Sequence, residues 1–308
     1  MTTALYQSNA FRRHITPPGH PEQVARLAAV DAGLAGLSLD HREAPLAEDA
    51  EILRCHPARY LARVRAASPI AGWTQLDADT HLSPGSVEAA LRAVGGACAA
   101  VDAVLSGEAA NAFVAARPPG HHAEREIAMG FCVFGTVSIA ALRALNHHNL
   151  ARVAIVDFDV QQGNGTQDLL WDEPRALFCS SHQMPLYPGT GAASETGVHG
   201  QIVNVPLREG SGSGVMRAAY EAKIFPAITA WKPDLILISA GFDAHEADPL
   251  AGLEWQTEDY AWLTARICDL ADALCQGRVV SCLEGGYDLP ALTASVRAHV
   301  AVLEERGR

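Results

Sequence analysis

Short apolar runs that alternate with alanine-rich helical patterns constrain the fold of this chain more than any other feature. The runs are rich in β-branched residues and occupy residues 112–116, 153–157, 176–180, 235–239 and 279–283. Strands buried on both faces lose the polar alternation of half-exposed strands, so these runs predict a parallel sheet. The helical patterns occupy residues 85–105, 135–145, 215–231 and 259–275. Strands and helices in alternation predict an α/β fold with a central parallel β-sheet and helices on both faces.

The length and charge of the chain narrow its organisation and its partners. The 308 residues contain no linker, low-complexity segment or internal repeat. Because α/β folds with large sheets often reach this size as one unit, we expect a single domain over residues 1–308. The formal net charge of -12 argues against direct nucleic-acid binding, which requires clustered Lys and Arg. An acidic chain is compatible with cationic substrates such as amines.

The cysteines, the N-terminus and the hydropathy predict a cytoplasmic protein that does not bind a membrane. Seven cysteines without CxxC spacing are typical of reduced, buried thiols in a cytosolic chain. The N-terminal residues lack the basic and then apolar segments of a signal peptide. No run approaches the roughly 18 apolar residues that a membrane-spanning helix needs.

Polar and glycine-rich clusters directly follow four of the predicted strands. They lie at residues 117–122, 157–166, 240–250 and 284–287. In a parallel sheet the carboxyl ends of the strands share one edge, and α/β proteins bind ligands there. Each cluster alone is weak evidence, because paired histidines are often surface residues and aspartates often cap helices. Together, carboxylates and imidazoles at one edge favour metal-assisted hydrolysis.

Motifs within and around these clusters resemble one known family. The motifs are RPPGHH (117–122), GFC (130–132), DFDV (157–160), GNGTQ (163–167), SSHQ (180–183), PGTG (188–191), NVPL (204–207), SAGFDAHEADPL (239–250) and LEGGYDL (283–289). They are similar to the histone deacetylase and acetylpolyamine amidohydrolase family in its class II-like, bacterial form. The resemblance implies an arginase-like α/β fold and hydrolysis of N-acetylated amines such as acetyl-lysine or acetylpolyamines. It is also compatible with a homo-oligomer, since bacterial relatives form dimers or tetramers.

The resemblance assigns catalytic roles to five residues. His121 and His122 would handle the protons of the attacking water and of the leaving amine. Asp157 would orient His121, and Asn164 would orient His122. Tyr287 would donate its hydroxyl to the scissile carbonyl and then to the tetrahedral oxyanion.

The same resemblance predicts a substrate channel and a structural potassium site. Phe131, next to Gly130, would form one wall of a narrow channel, and Tyr187 or His182 would form the other. The potassium ion of the family would be bound by backbone carbonyls and serine hydroxyls. The residues expected in that potassium site are Asp157, Asp159, Gln161, Ser180 and Ser181.

The predicted zinc site departs from the family at one ligand. The family binds zinc through an Asp-x-His segment and a distant Asp; Asp159 and Asp248 match the carboxylates, but Gln161 occupies the histidine position. A neutral amide is a poorer zinc ligand than an imidazole, and two carboxylates with an amide suit a harder metal. His245 is not expected to replace the missing ligand, because related sequences often carry this histidine without using it. Further departures are Gln162 for a second histidine, Gly135 and Thr136 for two asparagines, and Gln23 for an arginine.

Three functions are open on the sequence alone. The first is a metal-dependent amidohydrolase, a deacetylase with an altered and weaker metal site, favoured by the retained Tyr287, His121 and His122. The second is a catalytically impaired or inactive homologue that binds acetylated ligands or a partner, favoured by Gln161. The third is a different hydrolysis supported by a harder metal such as manganese. Fold resemblance does not choose among them, because function depends on the site.

Overall fold

The computed structural model describes residues 2–308, which form an eight-stranded parallel sheet and a separate two-stranded hairpin. The strands are β1 (Thr3–Gln7), β2 (Leu39–Glu43), β3 (Thr74–Gln75), β4 (His81–Leu82), β5 (Asn111–Val114), β6 (Val153–Asp157), β7 (Ala176–Gln183), β8 (Ile202–Leu207), β9 (Leu235–Ala240) and β10 (Val279–Leu283). The hairpin pairs β3 with β4, and the large sheet has the order β2-β1-β5-β10-β9-β6-β7-β8.

Helices cover both faces of the large sheet. The α-helices are α1 (Ala25–Leu34), α2 (Asp49–Ile52), α3 (Ala58–Ala66), α4 (Ser86–Ser106), α5 (Thr136–Asn146), α6 (Asn164–Leu169), α7 (Ser213–Ala219), α8 (Phe225–Trp231), α9 (Thr257–Cys275) and α10 (Leu289–Arg306). Alternate residues of β6 enter two different cores: Ile155 packs with α4 and α5, while Val156 packs with α9 and α10. Because side chains of a strand alternate between faces, this division shows that the sheet is buried on both sides.

The strand order brings the polar clusters together. β10 and β9 lie between β5 and β6, so the four strands that precede the clusters are neighbours at the centre of the sheet. Each of these strand pairs is parallel. Their carboxyl ends therefore meet at one edge, which is the place that the sequence predicts for the site.

The observed elements agree with most of the sequence prediction. All five predicted strands are present, although β5 ends at Val114 and β7 continues to Gln183. The helical pattern at 215–231 is divided, because a π-helical turn (Tyr220–Ile224) separates α7 from α8. Three strands of the large sheet, β1, β2 and β8, were not predicted, and neither were α1 and α10.

Helix α4 corrects one sequence expectation. By length and composition, it is apolar enough to cross a membrane. However, 72% of its most apolar 18-residue stretch is buried inside the protein. Charged residues such as Arg92 interrupt the helix, so its sequence contains no long continuous apolar run. The burial of α4 against the sheet and α5 accounts for its apolar composition.

Candidate active site

Two buried histidines lie on the loop after β5, and each is bonded to a polar side chain, one from the last residue of β6 and one from the first residue of α6. The rings of His121 and His122 are 4.0 Å apart between centroids. His121 Nδ1 lies 3.0 Å from Asp157 Oδ2, and His122 Nδ1 lies 2.7 Å from Asn164 Oδ1. The amide nitrogen of Asn164 donates to Glu124, which leaves its oxygen to accept the proton on His122 Nδ1. Both rings are therefore fixed with Nδ1 as the donor and Nε2 directed elsewhere.

The environments of the two histidines move their pKa values in opposite directions. Burial alone would lower the pKa of His121, but the carboxylates of Asp159 and Asp157 raise it well above its ordinary value. Burial and the neighbouring charge of His121 lower the pKa of His122 to about 3. At neutral pH, His121 is therefore cationic and His122 is neutral. A cationic imidazole suits an electrostatic role, and a neutral one suits the role of proton acceptor.

Two carboxylates of the predicted metal site converge on the loop after β10. Asp159 Oδ2 accepts the backbone N–H of Gly285 at 2.9 Å, and Asp248 Oδ2 accepts that of Tyr287 at 2.8 Å. Burial raises the pKa of Asp248 to about 6, backbone hydrogen bonds oppose this, and the charge of Asp159 adds to it. A cation between the two carboxylates would relieve their repulsion.

The side chain of Gln161 contacts His122, and its backbone is bonded to Asp159. Gln161 Oε1 is 3.3 Å from His122 Nε2, and the Gln161 backbone N–H donates to Asp159 Oδ1 at 3.0 Å. Two carboxylates and an amide are oxygen donors that fit a divalent cation such as Mg²⁺ or Mn²⁺. They fit zinc poorly, because zinc favours nitrogen and sulfur ligands.

Neither of two other groups offers a better metal site. His245 is engaged elsewhere: its Nε2 contacts Thr257 Oγ1 at 3.3 Å and its Nδ1 accepts the N–H of Ala247. His121, Cys132 and Glu284 bring ligand-type atoms within 4.8 Å of one another. However, His121 is already bonded to Asp157, and burial raises the pKa of the Cys132 thiol well above its ordinary value. A protonated thiol is not a metal ligand.

Tyr287 enters the site on a turn that depends on two glycines. A Cβ on Gly285 would lie 2.1 Å from Asp243 Oδ2, and Gly286 adopts a φ of +119°, a conformation that L side chains rarely adopt. The Tyr287 ring lies between the guanidinium of Arg26, at 5.0 Å, and the Phe131 ring, at 5.9 Å. Burial raises the pKa of Tyr287 well above its ordinary value, so its hydroxyl remains a proton donor.

A buried ionic cluster beneath this turn was not predicted from the sequence. Glu22 is fully buried and accepts hydrogen bonds from Arg117 and from Arg26 Nη1, the latter at 2.9 Å. Arg26 also donates to the backbone carbonyls of Gly286 at 2.7 Å and Glu284 at 2.6 Å. The cluster therefore connects the N-terminal segment to the backbone that carries Tyr287. No local pattern indicates that Glu22 binds Arg117, about 100 residues away, or that Arg26 binds carbonyls about 260 residues away.

Phe131 and Tyr187, which are predicted to line a channel, both lie beside residues of the site. Phe131 has a left-handed φ of 68°, and its backbone N–H and that of Gly130 donate to Thr80 and Asp79 of the hairpin segment. Tyr187 packs edge-on against His122 at 5.3 Å between ring centroids and is 38% exposed.

His182 is a correction, because the structure does not place it on the channel wall. It is fully buried, with Nδ1 bonded to Ser180 Oγ at 2.9 Å and Nε2 to the Gly191 carbonyl at 2.9 Å. His182 lies in the buried strand β7, and its side chain is bonded to the loop at Gly191 and not directed toward the channel residues. The potassium site remains a prediction; its serines are buried, and Ser181 Oγ contacts Tyr220 OH at 2.7 Å.

The other departures from the family motif have local explanations. Gln162 is buried in a network of amides: its Nε2 donates to Gln167 at 2.9 Å and its oxygen accepts from Thr190 at 2.7 Å. Gln23 is exposed. The backbone N–H of Gly135 donates to His56 Nε2 at 2.9 Å, and a Cβ there would lie 2.3 Å from Leu169. Asp243 is buried, and its Oδ1 accepts the backbone N–H of Val160.

Comparison with known proteins places the chain in a family. The sequence profile of the histone deacetylase domain matches residues 20–303. The chain belongs to the histone deacetylase family. It is 44% identical over 300 residues to the protein slr0245 of Synechocystis sp., a match that covers 95% of this chain and 96% of that one. It is 40% identical over 285 residues to the histone deacetylase-like amidohydrolase of Pseudomonas aeruginosa, with 89% and 74% covered.

A solved structure agrees with the assignment to the histone deacetylase family. The crystal structure of the HDA15 HD domain superimposes with a TM-score of 0.94 at 33% identity, and the match covers 99% of this chain and 90% of that chain. The predicted arginase/deacetylase-like fold is thereby confirmed. Its deacetylase and amidohydrolase relatives support a hydrolase.

Proposed function

We propose that the protein is an amidohydrolase that removes acetyl or other acyl groups from N-acylated amines, such as acetyl-lysine or acetylpolyamines. The observation that carries the proposal is the intact pair of histidine contacts, His121 with Asp157 and His122 with Asn164, beside two carboxylates. Tyr287 completes the arrangement, since its backbone N–H is bonded to Asp248.

The residues divide the work of amide hydrolysis. His122, held neutral by burial, accepts the proton of the attacking water through Nε2 and passes it to the leaving amine. His121, held cationic by Asp159 and Asp157, stabilises the negative charge that develops on the substrate. Tyr287 donates its hydroxyl to the oxyanion. The walls at Phe131 and Tyr187 position the acyl group and exclude water.

Asp159, Asp248 and Gln161 would hold a divalent metal ion in this proposal. When bound, the ion would polarise the scissile carbonyl and acidify the attacking water. The oxygen-rich donor set favours a harder ion than zinc, such as manganese. This makes the metal requirement of the protein the sharpest test of the proposal.

The first experiment compares metal binding by the unaltered protein and by Gln161→His. Both are purified without chelator or affinity metal, equilibrated with Zn²⁺ or Mn²⁺, and assayed for metal per chain by mass spectrometry. We expect Gln161→His to bind zinc at least about tenfold more tightly, because it restores an imidazole ligand. Gln162→His is the matched control: its side chain lies in the amide network, so zinc affinity should not rise.

Turnover is then measured on an acetyl-lysine peptide and on an acetylated polyamine, with each metal. Hydrolysis that requires Mn²⁺ in the unaltered protein, and accepts Zn²⁺ in Gln161→His, supports the proposal. If zinc affinity is the same in both proteins, Gln161 does not occupy the metal position.

A second candidate function has one observation in its favour. The Gln161 amide contacts His122 Nε2, the atom that hydrolysis needs as a proton acceptor. A protein in which this contact persists would bind acylated amines without cleaving them. Calorimetry distinguishes the two: binding of an acetylated ligand without turnover under any metal condition would favour the binding protein.

A further inference from the structure

Glu284 is a buried carboxylate at the edge of the site to which no role has yet been given. It follows β10 directly and is 1% exposed. Its Oε2 accepts the backbone N–H of Gly120 at 2.7 Å and of His121 at 3.2 Å. Its own backbone is fixed on both sides, since its N–H donates to Ala240 and its carbonyl accepts from Arg26.

The loop that Glu284 holds has little freedom to settle elsewhere. A Cβ on Gly120 would lie 2.8 Å from the backbone nitrogen of Thr136 and 2.9 Å from the carbonyl of Phe134, so the chain passes close to its neighbours. His121 is thus restrained at two points: Glu284 binds its backbone N–H, and Asp157 binds its ring at Nδ1.

We propose that Glu284 is a positioning residue that fixes the backbone of the tandem histidines through these two hydrogen bonds. The proposal rests on the proposed function for its effect on catalysis, but the hydrogen bonds can be tested without it. The role requires an acceptor at the position of Oε2. Glu284 Oε1 has no hydrogen-bond partner among residues 2–308, so an amide NH2 group in its place would break no contact.

The variants follow from this geometry. Glu284→Gln keeps an oxygen that can accept both N–H groups, while Glu284→Ala removes the acceptor and Glu284→Asp withdraws it by one methylene. Asp234→Ala is the matched control, because Asp234 Oδ2 also accepts two consecutive N–H groups, from Ala151 and Arg152, both at 3.0 Å. Asp234 directly precedes β9, so it lies at the amino-terminal ends of the strands, away from the carboxyl ends where the site lies.

The first readout is hydrogen exchange at the amides of Gly120 and His121, measured by NMR. We expect exchange at these two amides to be at least about tenfold faster in Glu284→Ala and Glu284→Asp, and near the unaltered rate in Glu284→Gln. Asp234→Ala should leave both amides unchanged. The Nδ1 proton of His121 should keep its chemical shift in Glu284→Gln and move in Glu284→Ala.

The second readout is steady-state kinetics with an acetyl-lysine peptide. We expect kcat to fall about 100-fold in Glu284→Ala with little change in KM, because displaced histidines lose their alignment with the substrate. Glu284→Gln should restore most of the turnover, and Asp234→Ala should match the unaltered protein.

Three outcomes would contradict either the positioning role of Glu284 or the proposed function. Unchanged exchange at Gly120 and His121 in Glu284→Ala would overturn the positioning role. A Glu284→Gln variant as impaired as Glu284→Ala in exchange and turnover would also overturn it, since charge and not hydrogen-bond acceptance would then matter. An unaltered protein without turnover would count against the proposed function alone, and the exchange rates would still decide the role of Glu284. If Glu284→Ala does not fold, Glu284→Asp and Glu284→Gln provide the same comparison.

Discussion

At the scale of single residues, the two histidines differ in what surrounds them more than in where they lie. Each is buried and bonded through Nδ1, but His121 faces the carboxylates of Asp157 and Asp159, while His122 faces the neutral amides of Asn164 and Gln161. The contrast in charge around two adjacent imidazoles explains why one pKa rises and the other falls. A single exchange of Asn164 for a carboxylate would reduce that contrast.

The hydroxyl of Tyr287 belongs to the same scale and has a direct test. Tyr287→Phe keeps the ring between Arg26 and Phe131 and removes only the hydroxyl. We expect kcat to fall by about 100- to 1,000-fold, because loss of one oxyanion donor costs that much in other hydrolases. Binding of substrate, measured by calorimetry, should change little.

Tyr6→Phe provides the control for that variant. The Tyr6 hydroxyl donates to the Ala99 carbonyl at 3.1 Å, away from the site, so turnover should be retained. Equal turnover in Tyr287→Phe and the unaltered protein would remove the oxyanion role from Tyr287.

At the scale of elements, the site is assembled by loops that a buried ionic cluster connects. Arg26 at the start of α1 binds the carbonyls of the loop after β10, and Arg117 after β5 shares Glu22 with it. Burial alone would raise the pKa of Glu22, but the charges of Arg117 and Arg26 and hydrogen bonds from His14 and Arg117 hold it well below its usual value.

This cluster predicts a large effect of Glu22→Gln on stability. The variant leaves two buried guanidinium groups without their carboxylate, which costs about 3–5 kcal/mol in the free energy of unfolding at pH 7. The folded-state pKa of Glu22 lies below its unfolded value, so its stabilisation is present above the unfolded pKa and is lost as pH falls through the folded pKa. The difference between the two proteins should therefore shrink in acid, as measured by denaturant unfolding at several pH values.

An exposed ion pair serves as the control for Glu22→Gln. Glu126 contacts Arg59 at the surface, so Glu126→Gln should hardly change stability at any of these pH values. A Glu22→Gln protein that is as stable as Glu126→Gln would show that the buried ionic cluster does not stabilise the fold.

The elements also show how far the sequence could predict the fold. The central strands were predicted because burial on both faces makes them continuous apolar runs, as in Val153–Asp157. The edge strand β2 (Leu39–Glu43) carries polar residues along a partly exposed face, so hydrophobicity alone does not distinguish it from a loop. The histidines and carboxylates of the site were found through their motifs. The Glu22 cluster depends on Arg117, 95 residues away, and the burial of His182 depends on the position of β7 between β6 and β8. No local pattern encodes either of them.

At the scale of the whole molecule, the two cores on either face of the sheet explain why the cysteine side chains are buried. All seven are free and buried, so the expected burial of the thiols is confirmed. They are distributed over both cores, with Cys55 and Cys98 on one side of the sheet and Cys268 and Cys275 on the other. No pair is positioned as a disulfide among the described residues 2–308.

The burial of the thiols therefore predicts how the cysteines react with a thiol reagent before and after the chain unfolds. Burial raises the pKa of Cys268 to about 12 and of Cys275 to about 11, so little reactive thiolate is present at neutral pH. We expect a thiol reagent such as Ellman's reagent to label the native protein slowly, and all seven cysteines to become reactive together when denaturant unfolds it. Labelling followed by mass spectrometry measures the number of modified cysteines at each denaturant concentration. Rapid labelling of one cysteine without denaturant would show that its region opens independently of global unfolding, and the position of that cysteine would identify which of the two cores opens.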